Sequence, residues 1–179
     1  MQTEEIGSLS MYFVTGGTGL LGNSIVRELC ARRLPVRVLC RPGSPRVAFE
    51  GLPVEIVEGD VNQPPALDAG IAGCTAVFHC AAMIHLGWTQ LEESRRVNVE
   101  GTRNVVEACL RHGSRLIHVS TVDTLPSARS RSTPIDERGL NGRAKVPCTY
   151  VVSKTEAEQV VRDAVDKHQL DAVIVHPGF

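Results

Sequence analysis

The chain has 179 residues and a mass of 19.4 kDa, is 42% hydrophobic and 22% charged, and carries a formal net charge of -1. These values fit one domain with a real core and exclude a wholly disordered chain. The sixteen Arg and three Lys are balanced by acids and scattered, which excludes an electrostatic nucleic-acid binder, and no stretch approaches the roughly 20 apolar residues of a membrane span.

Residues 1–10 carry two Glu and neither a basic residue nor an apolar core, so they read as a flexible extension and not as a secretory leader. Met11–Thr15 is a short apolar run ahead of glycines, the mark of a buried strand. Gly19–Arg33 has helical spacing, with Leu20, Leu21, Ile25, Val26 and Leu29 on one face. Strands are expected at Val36–Leu39, Val54–Val57, Ala76–His79, Leu116–Val119 and Ala172–Val175. Helices are expected at Arg95–His112, closed by Gly113, and at Thr149–His168. Strands apolar on both faces that alternate with helices make an α/β fold, a doubly wound Rossmann-type parallel sheet with helices on both faces. The stretch from Asp123 to Pro147, rich in Ser, Arg, Pro and Gly, reads as a long loop, and its Arg129, Arg131, Arg138 and Arg143 as a solvated surface.

The six Cys lie at irregular spacings with no CxxC pair, so free thiols in a reducing, cytoplasmic setting are expected. No HExxH or Cys/His cluster appears, and no metal site is expected.

Between the first strand and the first helix, Gly16, Gly19 and Gly22 form GxxGxxG, a variant of the dinucleotide fingerprint. Gly16 permits the turn off the strand, Gly19 the approach of backbone to a pyrophosphate, and Gly22 close packing of helix on strand. The second strand ends in Cys40-Arg41, where an NAD site usually carries a carboxylate for the ribose. A guanidinium there suits a 2′-phosphate, which favours NADP over NAD. Asp60, after the third strand, is placed to accept from an adenine amino group. Tyr150 and Lys154, four residues apart, share a helix face, where a cation stabilises a phenolate and makes Tyr150 a candidate proton donor or acceptor. Ser120 and Thr121, at the end of the fifth strand, are the candidate hydroxyl partners.

The glycine loop, Asp60-Val61, Phe78-His79-Cys80-Ala81-Ala82, Asn98-Val99-Glu100-Gly101-Thr102, Ser120-Thr121 and Tyr150…Lys154 occur in the order seen in the extended short-chain dehydrogenases/reductases, the NAD-dependent epimerase/dehydratase family. The chain resembles that family from about Tyr12 to Phe179. The resemblance implies a catalytic triad of Thr121, Tyr150 and Lys154, with Lys154 also bonding the nicotinamide ribose. It implies that Ala81 and Ala82 line the cofactor cleft, that Asn98 braces the central helix, and that Leu20, Leu21, Val61 and Pro177 complete the cofactor-binding set. The segment around Met83, Ile84, Leu86 and Trp88 borders the active site in the family; packing explains it equally well. Tyr150 to Glu158 and His176-Pro177-Gly178-Phe179 are more similar to dihydroflavonol-4-reductase and 3β-hydroxysteroid dehydrogenase than to nucleotide-sugar epimerases.

The function so implied is hydride transfer between the nicotinamide of NADP or NAD and a carbonyl or secondary alcohol. Tyr150 would move the proton, Thr121 would hold the oxygen and Lys154 would lower the phenol's pKa. An epimerase or dehydratase of nucleotide sugars is the second enzymatic reading, and a non-catalytic NADP-binding sensor the reading of another class. The implied partners are a small-molecule substrate and a second copy, docked through Arg95–His112 and Thr149–His168. The family's longer members build a substrate lobe after the sixth strand. Residues 11–179 are therefore expected to form a nucleotide-binding domain cut short at the Pro177-Gly178 step.

Overall fold

The computed structural model describes residues 10–126, 135–137 and 146–178. Arg129, Arg131, Arg138 and Arg143, and residues 1–9 of the expected N-terminal extension, lie outside the described residues.

Six strands, β1 (Met11–Thr15), β2 (Val36–Cys40), β3 (Val54–Glu58), β4 (Cys74–His79), β5 (Arg115–Val119) and β6 (Ala172–Val175), form one sheet. Every pairing is parallel, and the order is β3-β2-β1-β4-β5-β6. That is the doubly wound order whose direction of winding reverses between β1 and β4, so the carboxyl edge at this point opens a crevice.

The strands are apolar on both faces because both faces are covered. Successive side chains of β1 point to opposite sides. Phe13 joins a core with Leu67, Ile71, Val77, Val105, Cys109, Leu116 and Val161. Val14 joins a second core with Val26, Leu29, Val36, Val38 and Phe49. The first core lies under helices α2 (Pro64–Ile71), α4 (Gly101–His112) and α5 (Thr149–His168). The second lies under α1 (Leu20–Ala31) and the short 3-10 turn Val47–Phe49. All six cysteines are free thiols.

Two elements depart from the expectation. Helix α2 has no forecast in the sequence, because its eight residues begin on Pro64-Pro65 and include Gly70. Its apolar residues suffice to cover Phe13, but the segment is too short to show a period. The central helix starts earlier than Arg95: α3 (Leu91–Arg95) runs into α4 through a π turn at Arg96–Glu100. A π turn inserts one extra residue into the helical ladder and is found most often at functional sites. Here its Asn98 bonds to Met83 after β4 and to Ser153 on α5. Among the described residues no helix is long and apolar enough to cross a membrane.

Candidate active site

The glycine loop leaves β1 at the reversal point and enters α1. Gly16 has φ +70°, and a Cβ there would lie 2.6 Å from the Ala81 nitrogen and 2.8 Å from the Cys80 carbonyl carbon. The loop therefore packs backbone to backbone on the exit of β4. Thr15 supports the same junction, taking the Ala81 N–H on its hydroxyl at 3.2 Å and meeting His79 Nδ1 at 2.7 Å. A Cβ on Gly22 would overlap the Gly16 carbonyl oxygen, so the third glycine packs α1 onto the loop itself. At Gly19, the N-cap of α1, a Cβ would meet only the Gly16 oxygen at 3.3 Å, and no side chain caps the helix.

The first-turn N–H groups of α1 thus face the crevice, where backbone donors and the helix dipole favour an anion. Leu20 is 91% exposed beside them. Leu21 is 41% exposed. Residues Gly16 to Gly22 fit a dinucleotide pyrophosphate.

The strand ends bring the other expected cofactor residues to the same edge. Arg41 follows β2 and is exposed, whereas Arg46 is paired with Glu58 on β3. Asp60 follows β3, and its Oδ1 already accepts the Asn62 backbone N–H at 2.9 Å and the Asn62 amide at 3.0 Å. Only Oδ2 is left for an adenine amino group. Val61 is buried, and its carbonyl accepts from Asn104 on α4 at 3.0 Å. Ala81 and Ala82 are half-buried at the exit of β4. The Pro177 carbonyl, just past β6, accepts the Val122 N–H at 3.3 Å, which ties the end of β6 to the turn after β5.

The structure separates the two hydroxyls at the end of β5. Ser120 points inward and donates to the buried Glu158 carboxylate at 2.9 Å. Thr121 caps the 3-10 turn Val122–Thr124: its Oγ1 accepts the Asp123 N–H and donates to Asp123 Oδ2, both at 3.3 Å. Asp123, absent from the expected site, is the carboxylate that meets Thr121 and also acts on the Tyr150 phenol.

Lys154 is 3% exposed and donates from Nζ to the Val119 carbonyl at 2.6 Å. Burial pushes its ammonium down to about 8, while Cys80 and Glu158 oppose the fall. The resemblance gives Lys154 the task of lowering the Tyr150 phenol, and here its Nζ is engaged at Val119. Burial, and then the Asp123 carboxylate, push that phenol above its ordinary value. The lysine stem runs inward to β5, where the Val119 carbonyl receives its ammonium.

A second feature that sequence alone did not show is how Tyr150 is held. The N-cap of α5 is Cys148, which makes no side-chain cap. The orphan amides of the first turn are met instead by the loop after β4. Thr149 N–H donates to the Gly87 carbonyl at 2.9 Å and Tyr150 N–H to the His85 carbonyl at 3.1 Å. Thr149 Oγ1 reaches the Thr89 carbonyl at 2.8 Å. From the π turn, Asn98 pins the same loop: its Oδ1 accepts Met83 N–H at 2.7 Å and its Nδ2 donates to Met83 O at 3.0 Å and to Ser153 Oγ at 2.9 Å. Trp88, Ile84 and Leu86 stand 74%, 69% and 69% exposed on this loop among the described residues. Of the remaining histidines, His79 is fully enclosed, and burial, assisted by Lys154, lowers it to about 3. His118 is likewise buried, and burial with the neighbouring Lys154 holds it neutral, well below its ordinary value.

The profile of the NAD dependent epimerase/dehydratase family matches residues 12–178, and the chain belongs to that family. It is 34% identical over 97% of its length to a Synechocystis sp. protein named for dihydroflavonol 4-reductase activity, covering 50% of that protein. It is 36% identical over 86% of its length to human 3 beta-hydroxysteroid dehydrogenase type 7, covering 44% of it. The solved Thermus thermophilus UDP-glucose 4-epimerase in complex with NAD superposes with a TM-score of 0.77 at 25% identity, over 93% of this chain and 54% of that one. The chain spans about half the length of the curated relatives it matches.

Proposed function

We propose that this chain is the cofactor-binding part of an NADP(H)-dependent reductase acting on a carbonyl or secondary alcohol, with Tyr150 as the proton donor. The observation that carries the reading is the meeting of Thr121, Asp123, Tyr150 and Lys154 at the carboxyl end of β5, beside a glycine loop that fits a pyrophosphate. Relatives named as reductases and dehydrogenases, and neighbours solved with NAD, support it.

Bound at this edge, a nicotinamide supplies the hydride. Thr121 holds the substrate oxygen by its hydroxyl once that hydroxyl turns from Asp123. Tyr150, with its phenol raised above the ordinary value, carries its proton at neutral pH and delivers it to that oxygen. Lys154, already anchored at Val119, is in place for the ribose hydroxyls that flank this edge. Ser120, engaged by Glu158, takes no part at the substrate oxygen. A cytoplasmic location and pairing of two copies through α4 and α5 belong to the same reading.

Arg41 at the end of β2 is assigned to the 2′-phosphate of NADP(H). Arg41→Ala is expected to weaken NADPH about 10- to 100-fold, the worth of one or two charge-assisted hydrogen bonds, and to leave NADH unchanged. Fluorescence titration of both nucleotides checks this; tighter NADH than NADPH in the parent chain overturns the assignment. The reaction itself is tested with the intact chain, by following NADPH absorbance against a panel of ketones, secondary alcohols and nucleotide sugars. Consumption with ketones supports the reductase. Turnover confined to nucleotide sugars without net NADPH change turns the assignment to epimerase or dehydratase, and binding with no turnover on any substrate to a sensor.

A further inference from the structure

Glu158 is the most connected buried charge among the described residues, and none of the steps above uses it. The residue is 2% exposed on the third turn of α5. Its Oε2 receives Ser120 Oγ at 2.9 Å, Thr124 Oγ1 at 3.0 Å and His176 Nε2 at 3.1 Å. Its Oε1 receives Arg162 Nε at 3.2 Å. One carboxylate therefore gathers the end of β5, the turn that carries Thr121, the end of β6 and the helix of Tyr150 and Lys154. Thr124 shares its hydroxyl between Glu158 and the Thr121 carbonyl at 2.8 Å, so the grip passes directly to the backbone of Thr121.

We propose that Glu158 is the positioning residue of this site: its buried carboxylate turns Ser120 away so that Thr121 alone faces the crevice, and supplies the negative charge that keeps Lys154 charged inside the protein. The assignment rests on the reading of Thr121, Tyr150 and Lys154 as the reacting set.

Four titratable groups act on Lys154 or are acted on by it. They are His79 on β4, Cys80 at its exit, His118 on β5 and Glu158 one turn along α5. Both histidines are held neutral by burial, so they contribute no negative charge. A Cys80 thiolate would also oppose the fall of Lys154, but burial pushes this thiol up to about 12, so it is neutral over the range in which Lys154, at about 8, exchanges its proton. Glu158 is the one neighbour of these four that is ionised. Burial alone would raise its carboxyl, but the Arg162 and Ser120 hydrogen bonds, the His176 charge and the Thr124 hydroxyl outweigh that and hold it down. A charged carboxylate at i+4 offsets the cost of burying an ammonium that otherwise has only a backbone carbonyl. Removing the carboxylate must let Lys154 lose its proton at lower pH.

The chain has three lysines, Lys145, Lys154 and Lys167, so side-chain NMR can follow each ammonium through a pH titration without cofactor or substrate. Glu158→Gln keeps the shape and an acceptor for Ser120 while removing the charge; Glu158→Asp keeps the charge. The expected result is a Lys154 midpoint lower by about one pH unit or more in Glu158→Gln, near the parent value in Glu158→Asp, with Lys167 unmoved. An unchanged Lys154 midpoint in Glu158→Gln, or equal falls in both variants, overturns the proposal. A Glu158→Gln chain that fails to fold assigns the carboxylate to stability alone and overturns it as well. Because the titration needs no turnover, it stands apart from the Tyr150 experiment on which the reductase reading depends.

Discussion

Tyr150→Phe is expected to lower kcat for carbonyl reduction by about a thousandfold while NADPH affinity stays within about twofold. The substitution removes one oxygen and leaves the ring, which is half-buried at the start of α5. The two backbone hydrogen bonds from residues 149 and 150 to the loop after β4 do not involve the phenol and remain. What disappears is the proton source. Burial and Asp123 both raise the phenol, so in the parent chain the group is protonated at neutral pH, the form that reduction needs. The sign also predicts the pH profile. Reduction holds level through neutrality; the phenol ionises only above the ordinary tyrosine range, so a decline that sets in near pH 8 belongs to Lys154. Steady-state kinetics with the parent and Tyr150→Phe, paired with NADPH titration, check both statements; parent-like turnover in the variant removes Tyr150 from the reaction.

The second large effect belongs to Gly16→Ala. Two costs add at this position. A side chain at φ +70° costs on the order of 1 kcal/mol, and a Cβ 2.6 Å from the Ala81 nitrogen forces either the loop or the exit of β4 to move. Neither can yield freely, because both are backbone and Thr15 joins them. A loss of about 3 kcal/mol is expected, read as a Tm lower by roughly 10 °C for a chain of this size, together with loss of NADPH binding. Gly43→Ala is the control: φ there is +74°, with no atom within 4 Å of the added Cβ. It should pay only the backbone term, about 1 kcal/mol, and bind nucleotide as the parent does. A Gly16→Ala chain no less stable than Gly43→Ala would show that the loop is looser than its packing implies.

Much of this was legible in the sequence because it is local. The bounds of α5 and β6 are those that periodicity gave, and β1 to β5 lie within two residues of expectation. GxxGxxG between strand and helix announces its own geometry. What escaped was non-local or short. Helix α2 has eight residues, two of them proline, and hydrophobic periodicity needs a longer window. The π turn leaves no period of its own, so Leu91–His112 reads as one helix that begins at Arg95. The residues alone left Ser120 and Thr121 open and the resemblance pointed to Thr121; what no spacing rule connects to β5 is Glu158, some forty positions on, which takes the Ser120 hydroxyl. The anchor of Lys154 has the same origin. Four residues along a helix place it on the Tyr150 face, but the carbonyl that captures it comes from β5.

The capping of α5 has a mechanical consequence. Most helices are capped by side chains within their own first turn, so their ends loosen alone. Here the first two amides of α5 are held by carbonyls of another segment, which also displays Ile84, Leu86 and Trp88 to solvent. Loop and helix start therefore form one opening unit: neither can detach without releasing the other, and their exchange with solvent is governed by a single free energy.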